Sequence, residues 1–533
     1  MIRSALLGVS LLALATGAEA QERARTSVQP YVEVSQLFAA DLDGGDAVTY
    51  TALSAGVDAQ IETRRVQGQV SYRYDRYIDW GDDLGDNDVH SGLGRVTALV
   101  TPGLTMEAGA LATRARSNIG GAAPGVLVGN VANVSQVYSI YGGPSLSTTA
   151  GPVSLNAYYR LGYTKVETPT FDGLTPGQPR RDYYDDATNH QAFASIGTGT
   201  RGPLPVGLTV SAAWEREDAG QLSQRYDGWF GRADVTVPVT PYLALLGGVG
   251  YERIETSQRD PLLVGGVPAV DRDGRFVEDP SSPRRIAYRT DGVYYDAGVL
   301  YRPNRRTELT ARVGERYGSV SYTGSLTYQA SAQTGLAIGV YDSVQTFGRQ
   351  LRNGLTGLPT SFVAARDANF GQQYSGCVFG TTGSAPGGCL SDVFQSISTA
   401  SYRARGIDGV LSSVRGRSTY GVGAGYANRE LYSSRSTPGI SVYGLNDESV
   451  YGQAFWQYQL GRTSAVDANA FVNYYTSELP GSEDVWSYGA TGTYSRSFGR
   501  LGTTASVGLY SFKVGDFDSS WSAQAQLGAR YTF

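Results

Sequence analysis

The residues able to do acid–base or metal chemistry are few. Only two histidines occur in 533 residues, His90 and His190. His90 closes an acidic stretch, Asp79, Asp82, Asp83, Asp86 and Asp88, and His190 opens a strand-like run after Asp185-Asp186. A hydrolase needs such a base beside Ser or Asp, so both are weighed for that role; a histidine at a loop rim is the plainer reading. No H-E-x-x-H, G-x-S-x-G or Walker sequence occurs. Carboxylates 79–88 offer oxygens of the kind Ca²⁺ takes six to eight at a time. They lack ordered EF-hand spacing and read as a solvated loop. Gly421-Val422-Gly423-Ala424-Gly425 lies inside a strand pattern, where Gly marks close backbone approach or curvature rather than a phosphate loop. No catalytic residue, resident metal or cofactor is therefore expected.

The N-terminus carries Arg3, an apolar run Ala5 to Ala15, and the small-x-small site Ala18-Glu19-Ala20. That is a cleaved secretory signal peptide, residues 1–20, with the mature chain starting at Gln21. No Cys follows the cleavage site, which argues against a lipoprotein. The two cysteines, Cys377 and Cys389, share a Gly/Ser/Pro-rich stretch without a nearby His. Zinc is disfavoured, and in an exported chain the pair reads as a disulfide.

The bulk composition narrows the class. Charged residues make up 17%, Gly supplies 69 positions, Tyr 37 and Phe 16. Disordered chains are richer in charge and poorer in aromatics. Beyond the leader no run of about 18 apolar residues exists, which excludes a multi-span helical membrane protein. The formal charge is −5 with scattered Arg, so nucleic acid is not an expected partner.

The positioning elements show a period of two. Trp521, Ala523, Ala525, Leu527, Ala529, Tyr531 and Phe533 alternate with Ser522, Gln524, Gln526, Gly528, Arg530 and Thr532. Val66, Gly68, Val70, Tyr72 and Tyr74 repeat the pattern, as do Val153 to Tyr163, Val466 to Tyr474 and Trp486 to Tyr494. A run of 13 exceeds a soluble strand of about 5–6 residues and suits a tilted bilayer crossing of about 9–11. Connections alternate between short turns (Thr101-Pro102-Gly103, Gly151-Pro152, Thr240-Pro241, Gly461-Arg462, Gly499-Arg500) and long ones (117–130, 167–187, 257–285, 348–401, 432–447). This predicts an all-β, transmembrane antiparallel up-and-down barrel over 30–533, with about 22 strands (range 18–24). Its long loops would be extracellular, and its short turns and both termini periplasmic. A soluble propeller would repeat every 40–50 residues, and no such repeat is present.

Strand parity points Arg73, Asp75, Arg160, Glu215, Arg232, Asp234, Asp296, Glu308, Arg312, Arg316, Asp467 and Arg530 into the lumen. It sends Tyr158, Phe230, Tyr294, Phe455, Phe471, Tyr475 and Tyr510 there as well. Mixed signs imply no strong ion selectivity. Inward aromatics beside polar groups suit sugar rings, and space-filling is the plainer reading. Leu351, Leu355, Leu358, Phe362 and Phe370 give 348–401 enough apolar residues to pack into the lumen against Phe455 and Phe471, with the disulfide at its tip; capping the mouth is the alternative.

The leader, the amphipathic strands and the terminal Tyr531-Thr532-Phe533 resemble those of bacterial outer-membrane β-barrel proteins. The terminal aromatics Tyr531 and Phe533 resemble the signal read by the barrel-assembly machinery. More narrowly, Gln345-Thr346-Phe347-Gly348, Leu358-Pro359-Thr360 and Cys377-Val378-Phe379-Gly380 resemble a segment of large proteobacterial barrels. Those barrels accompany exopolysaccharide or PEP-CTERM-type sorting gene clusters. The resemblance implies a Gram-negative outer membrane, with lipid and lipopolysaccharide as surroundings. The expected function is a porin-like or gated channel for small solutes or saccharide. The alternatives are an accessory barrel of an exopolysaccharide or export system without its own conductance and, more distantly, an outer-membrane hydrolase. Nutrient receptors of this size carry an N-terminal plug domain; only residues 21–29 precede the first strand here, so such a receptor is not expected.

Overall fold

The computed structural model describes residues 25–533 except 45–46, 81–86, 117–133, 168–183, 201–203, 272–274, 365–373, 396, 435–440 and 480–481. The leader, Asp82, Asp83, Asp86 and Phe370 lie outside the described residues. Twenty-two antiparallel strands, 10 to 20 residues long, form one sheet in which each strand pairs with its neighbours in sequence. The first strand, Arg25–Asp41, starts five residues before the predicted Pro30. It pairs with the last, Ser520–Thr532, from Tyr31↔Thr532 to Asp41↔Ser522. The Phe533 N–H donates to the Pro30 carbonyl at 3.0 Å and completes the seam. The sheet is thus a closed transmembrane barrel. Among the described residues no helix is long and apolar enough to cross a membrane; the crossings are made by strands.

Alternation sorts the wall into two faces. In the last strand Leu527 is 68% exposed while Gln524 and Gln526 are each 4% exposed. The outward face carries aromatics toward both ends, as in Tyr488 and Phe498 of Val485–Phe498. Ten residues at about 3.4 Å rise and roughly 40° tilt separate them by about 26 Å along the axis, close to the height of an outer-membrane apolar band. Tyr rings there keep an apolar body in the band and a hydroxyl at its edge.

The seam is fastened from inside. Arg73 is fully buried and bonds Glu33 at 3.0 Å and Asp75 at 2.6 Å; Arg530 reaches Glu33 at 2.8 Å and lies over the Tyr31 ring. Strands one, two, three and twenty-two are joined, because Ser54 also donates to Asp75. Removing one partner of a buried ion pair costs about 3–5 kcal/mol, since the other charge is left desolvated. Glu33→Ala should therefore lower stability by about that amount in denaturant titrations in detergent, and an unchanged midpoint would remove the seam role. Deletion of Phe533 should reduce heat-modifiable, membrane-inserted protein; insertion at the wild-type level would make the terminal residue incidental.

Candidate functional site

The lumen is where the inward side chains meet a second body of chain. Between the strands Thr334–Gln345 and Ser401–Arg415, both joined at the long-loop end, the chain turns into the barrel. It first forms the helix α1, Phe347–Gly357. Phe347, Leu351 and Leu355 recur every four residues, so they share one face, and all three are 0% exposed. The segment then makes a hairpin, Cys377–Thr382 paired with Ala385–Cys389. Among the described residues 390–400 there is one 3₁₀ turn, Val393–Gln395, before the sixteenth wall strand begins at Ser401.

The described part of this segment packs against inward side chains of the wall. Leu351, Leu355, Leu358 and Phe362 join a cluster with Leu93, Leu111, Val137, Tyr141 and Val166 of the wall. Polar contacts anchor it on several sides. Arg349 pairs with Glu215 and lies 3.6 Å over the Tyr226 ring. Arg352 donates to Asn189 at 2.8 Å, Arg95 to the Leu355 carbonyl at 2.5 Å, and the Phe362 N–H to Gln69 at 2.9 Å. On other strands the Cys377 N–H reaches Gln453 at 2.7 Å, Tyr402 donates to Gln350 at 2.6 Å, and Arg429 donates to the Asp392 and Val393 carbonyls. The hairpin tip reaches the short-turn rim, where the Gly383 N–H donates to the Ala332 carbonyl at 2.9 Å.

Two glycine positions record close approach. At Gly423 the sulfurs of Cys377 and Cys389 occupy the place where a side chain would start, and Phe379 does the same at Gly421. The glycine-rich strand is thus a seat for the hairpin. A Cβ on Gly348 would lie 2.6 Å from the Tyr184 hydroxyl and 2.7 Å from a Glu217 carboxylate oxygen. Glu217, 1% exposed, therefore faces the start of α1, where Thr346 supplies no side-chain cap. Burial pushes the Asp392 carboxyl above the usual carboxylate range, with Arg429 opposing. The packed segment thus favours its protonated form and loses that contribution as pH rises through the raised value.

Cys377 and Cys389 form the disulfide. It closes the base of the hairpin, not the tip expected from the sequence. Phe455 stacks on Phe379 of the segment with centroids 5.6 Å apart. Phe471 packs instead with Tyr510, in a cluster with Leu37, Tyr50 and Tyr77; its strand lies beyond the hairpin's seat. Arg160 pairs with Glu107 at 2.5 Å and lies over Tyr158. Arg232, Asp234, Asp296 and Arg312 form a mutual quartet with contacts of 2.6 to 3.0 Å, and Arg316 holds Glu252 at 2.7 Å. Tyr475 is 1% exposed, while Tyr531 and Phe533 face outward. The sequence reading missed the anchors Gln69, Arg95, Asn189, Glu217, Gln453 and Arg429, and read α1 as loop. The four-residue spacing of Phe347, Leu351 and Leu355 was the available signal for the helix.

The two histidines stand elsewhere. Parity puts both on the outer wall: His90 Nδ1 is 2.7 Å from the Tyr72 hydroxyl, and His190 Nδ1 is 2.7 Å from that of Tyr159. Each sits among rings, with Tyr74 and Tyr138 near His90 and Trp214 near His190. They belong to an aromatic belt, and the hydrolase alternative loses the bases on which it was built.

A bulky residue at Gly423 tests the seat. Gly423→Leu should displace the hairpin at a cost of about 1–3 kcal/mol from overpacking. Reduction of Cys377–Cys389 by an impermeant phosphine should become several-fold faster while the barrel stays heat-modifiable. An unchanged reduction rate would show that the hairpin is not held there.

No family model matches the chain, and no curated protein matches it. Among solved structures it is similar to the siderophore receptor PiuA from Acinetobacter baumannii, at 9% identity over 94% of this chain and 82% of that one, with a TM-score of 0.43. It is also similar to the closed form of the ferric-catecholate import receptor Fiu from E. coli K12, at 11% identity over 96% and 82%, with a TM-score of 0.44. The FrpB iron transporter from Neisseria meningitidis gives 9% identity, 95% and 81% coverage, and a TM-score of 0.41. The fold stands on this chain's own strand pairings and exposed apolar band.

Proposed function

We propose that the chain is a gated outer-membrane channel for small solutes, held closed by its own segment 346–400. The observation that carries this is the path of that segment. It enters from the long-loop end, packs on the wall through α1, and reaches the opposite rim at Ala332. A barrel of 22 strands is wide enough to need a water-filled or a filled lumen. Beside the segment, Tyr288 and Tyr432 stack 4.3 Å apart near the long-loop end, with Tyr226, Ile254 and Val344 around them. These contacts support a closed resting state.

The leader-like N-terminus, the aromatic bands and the terminal Tyr531 and Phe533 support export to a Gram-negative outer membrane with both termini periplasmic. Lipopolysaccharide and the barrel-assembly machinery would be the partners there. Saccharide is the solute class favoured by the mixed polar lumen, and membership of an exopolysaccharide system belongs to the same reading. The burial of Phe347 to Arg352 and of Leu355 on α1 favours a second reading, in which the barrel stays sealed and acts as an accessory without conductance.

Gln345 and Tyr402 are paired on adjacent strands, so a short Gly/Ser linker can replace 348–399 without opening the ring. In planar bilayers that variant should conduct at least several-fold more than the wild type. Equal conductance with normal insertion would overturn the gate. A wild type that never opens under voltage or added solute, while the linker variant conducts, would favour the sealed accessory.

A further inference from the structure

Among the described residues, the hydrogen bonds named above for the segment fall on other strands than those lining one recess of about 230 Å³. The inward face of Thr307–Arg316 presents Arg312, Gly314 and Arg316 in turn. Register sets Gly314 beside Asp296 on one neighbour and Ser321 on the other, and Thr323 beside Arg312. A glycine and two small side chains thus lie between long charged ones, and the hollow follows from that difference in length. It is smaller than the roughly 300–1,000 Å³ of sites for drug-sized ligands, which leaves room for one molecule of about monosaccharide size.

The charges around it cancel. The lining holds Arg232, Arg312 and Arg316 with Asp234, Asp296 and Glu315; Asp234 and Asp296 hold the first two at 2.6 to 3.0 Å, and Glu252, outside the lining, holds Arg316 at 2.7 Å. A bare ion gains little from a site without net charge, and an apolar solute gains nothing from stripping water off these groups. A hydroxyl can donate to a carboxylate and accept from a guanidinium, and both bonds are charge-assisted. The groups are already fixed by one another, so little side-chain freedom is lost on binding. Water also reaches them. The quartet and Arg316 keep 15–24% side-chain exposure, whereas Arg73, Asp75 and Glu33 at the seam keep 0–4%.

We propose that this recess binds a neutral, polyhydroxylated solute of about monosaccharide size; the proposal rests on the channel reading above and gives its solute a binding place. The two cysteines are disulfide-bonded and no free cysteine is present, so a single introduced thiol reports cleanly. Ser321→Cys, with Thr323→Cys in reserve should the first fail to insert, is reacted with a neutral methanethiosulfonate reagent in detergent. Glucose should slow labelling several-fold, and glycine betaine of equal osmolality should not. Labelling at a control thiol, Asn469→Cys on a distant inward position, should be indifferent to glucose. Equal slowing at both positions, equal slowing by betaine, stronger protection by phosphate than by glucose, or no labelling at all would each overturn the site. Conductance in the linker variant without glucose protection would reject the site and leave the channel standing. Protection in a protein that never conducts would reject the channel and leave the site.

Discussion

A strand in hydrocarbon has no water to satisfy its backbone, so every N–H and C=O must find a partner in the protein. The bond from Phe533 to the Pro30 carbonyl, next to the Tyr31↔Thr532 pairing, is where this chain meets that requirement. Without closure two edges would stand in lipid. With closure the strand number sets the circumference, and the circumference sets how much must be done with the interior. The ion network at Glu33, Arg73, Asp75 and Arg530 lies at the same seam, so closure is supported by side chains as well as by backbone.

A ring of this size cannot be filled by its own side chains, and the interior is solved in two ways. Where segment 346–400 packs, the lumen is built like a soluble core, with Leu351, Leu355 and Phe362 against Leu93, Leu111 and Val137. Its helix holds Gly348 and Gly354, each costing about 1 kcal/mol relative to Ala in a helix. A short helix of this kind is marginal alone and is stabilised by the apolar face it buries. Elsewhere the interior is polar and self-paired, as in the Arg232, Asp234, Asp296 and Arg312 quartet. Such pairs are weak evidence for stability, but each charge of the quartet has a partner of opposite sign. The two regimes divide the lumen into a tightly packed part and a part that water reaches.

The outer wall follows a different rule, because lipid covers it. Aromatic rings and the two histidines occupy its ends, and each imidazole is tied to a neighbouring tyrosine. Residue types that suggest catalysis in a soluble chain are here edge groups of an apolar band.

How much was legible can be read from particular residues. Period-two alternation is local, since successive side chains on a strand point to opposite faces. It therefore placed Arg73, Asp75, Arg232, Arg312 and Phe455 on the inner face and Tyr531 and Phe533 on the outer one, and the alternating loop lengths led to the strand count. The glycines at 421 and 423 were legible as sites of close approach, though not as to what approaches. What required tertiary structure is every contact across the ring. Arg95 and Leu355 are 260 positions apart and Phe362 and Gln69 are 293 apart, and no local pattern relates them. Phe471 was expected to meet the segment and packs with Tyr510 instead, because parity fixes which face a residue occupies but not which strands the inserted chain will lie against. That choice depends on where around the ring the segment enters and on the shape of the space it finds, and both exist only once the last strand has paired with the first.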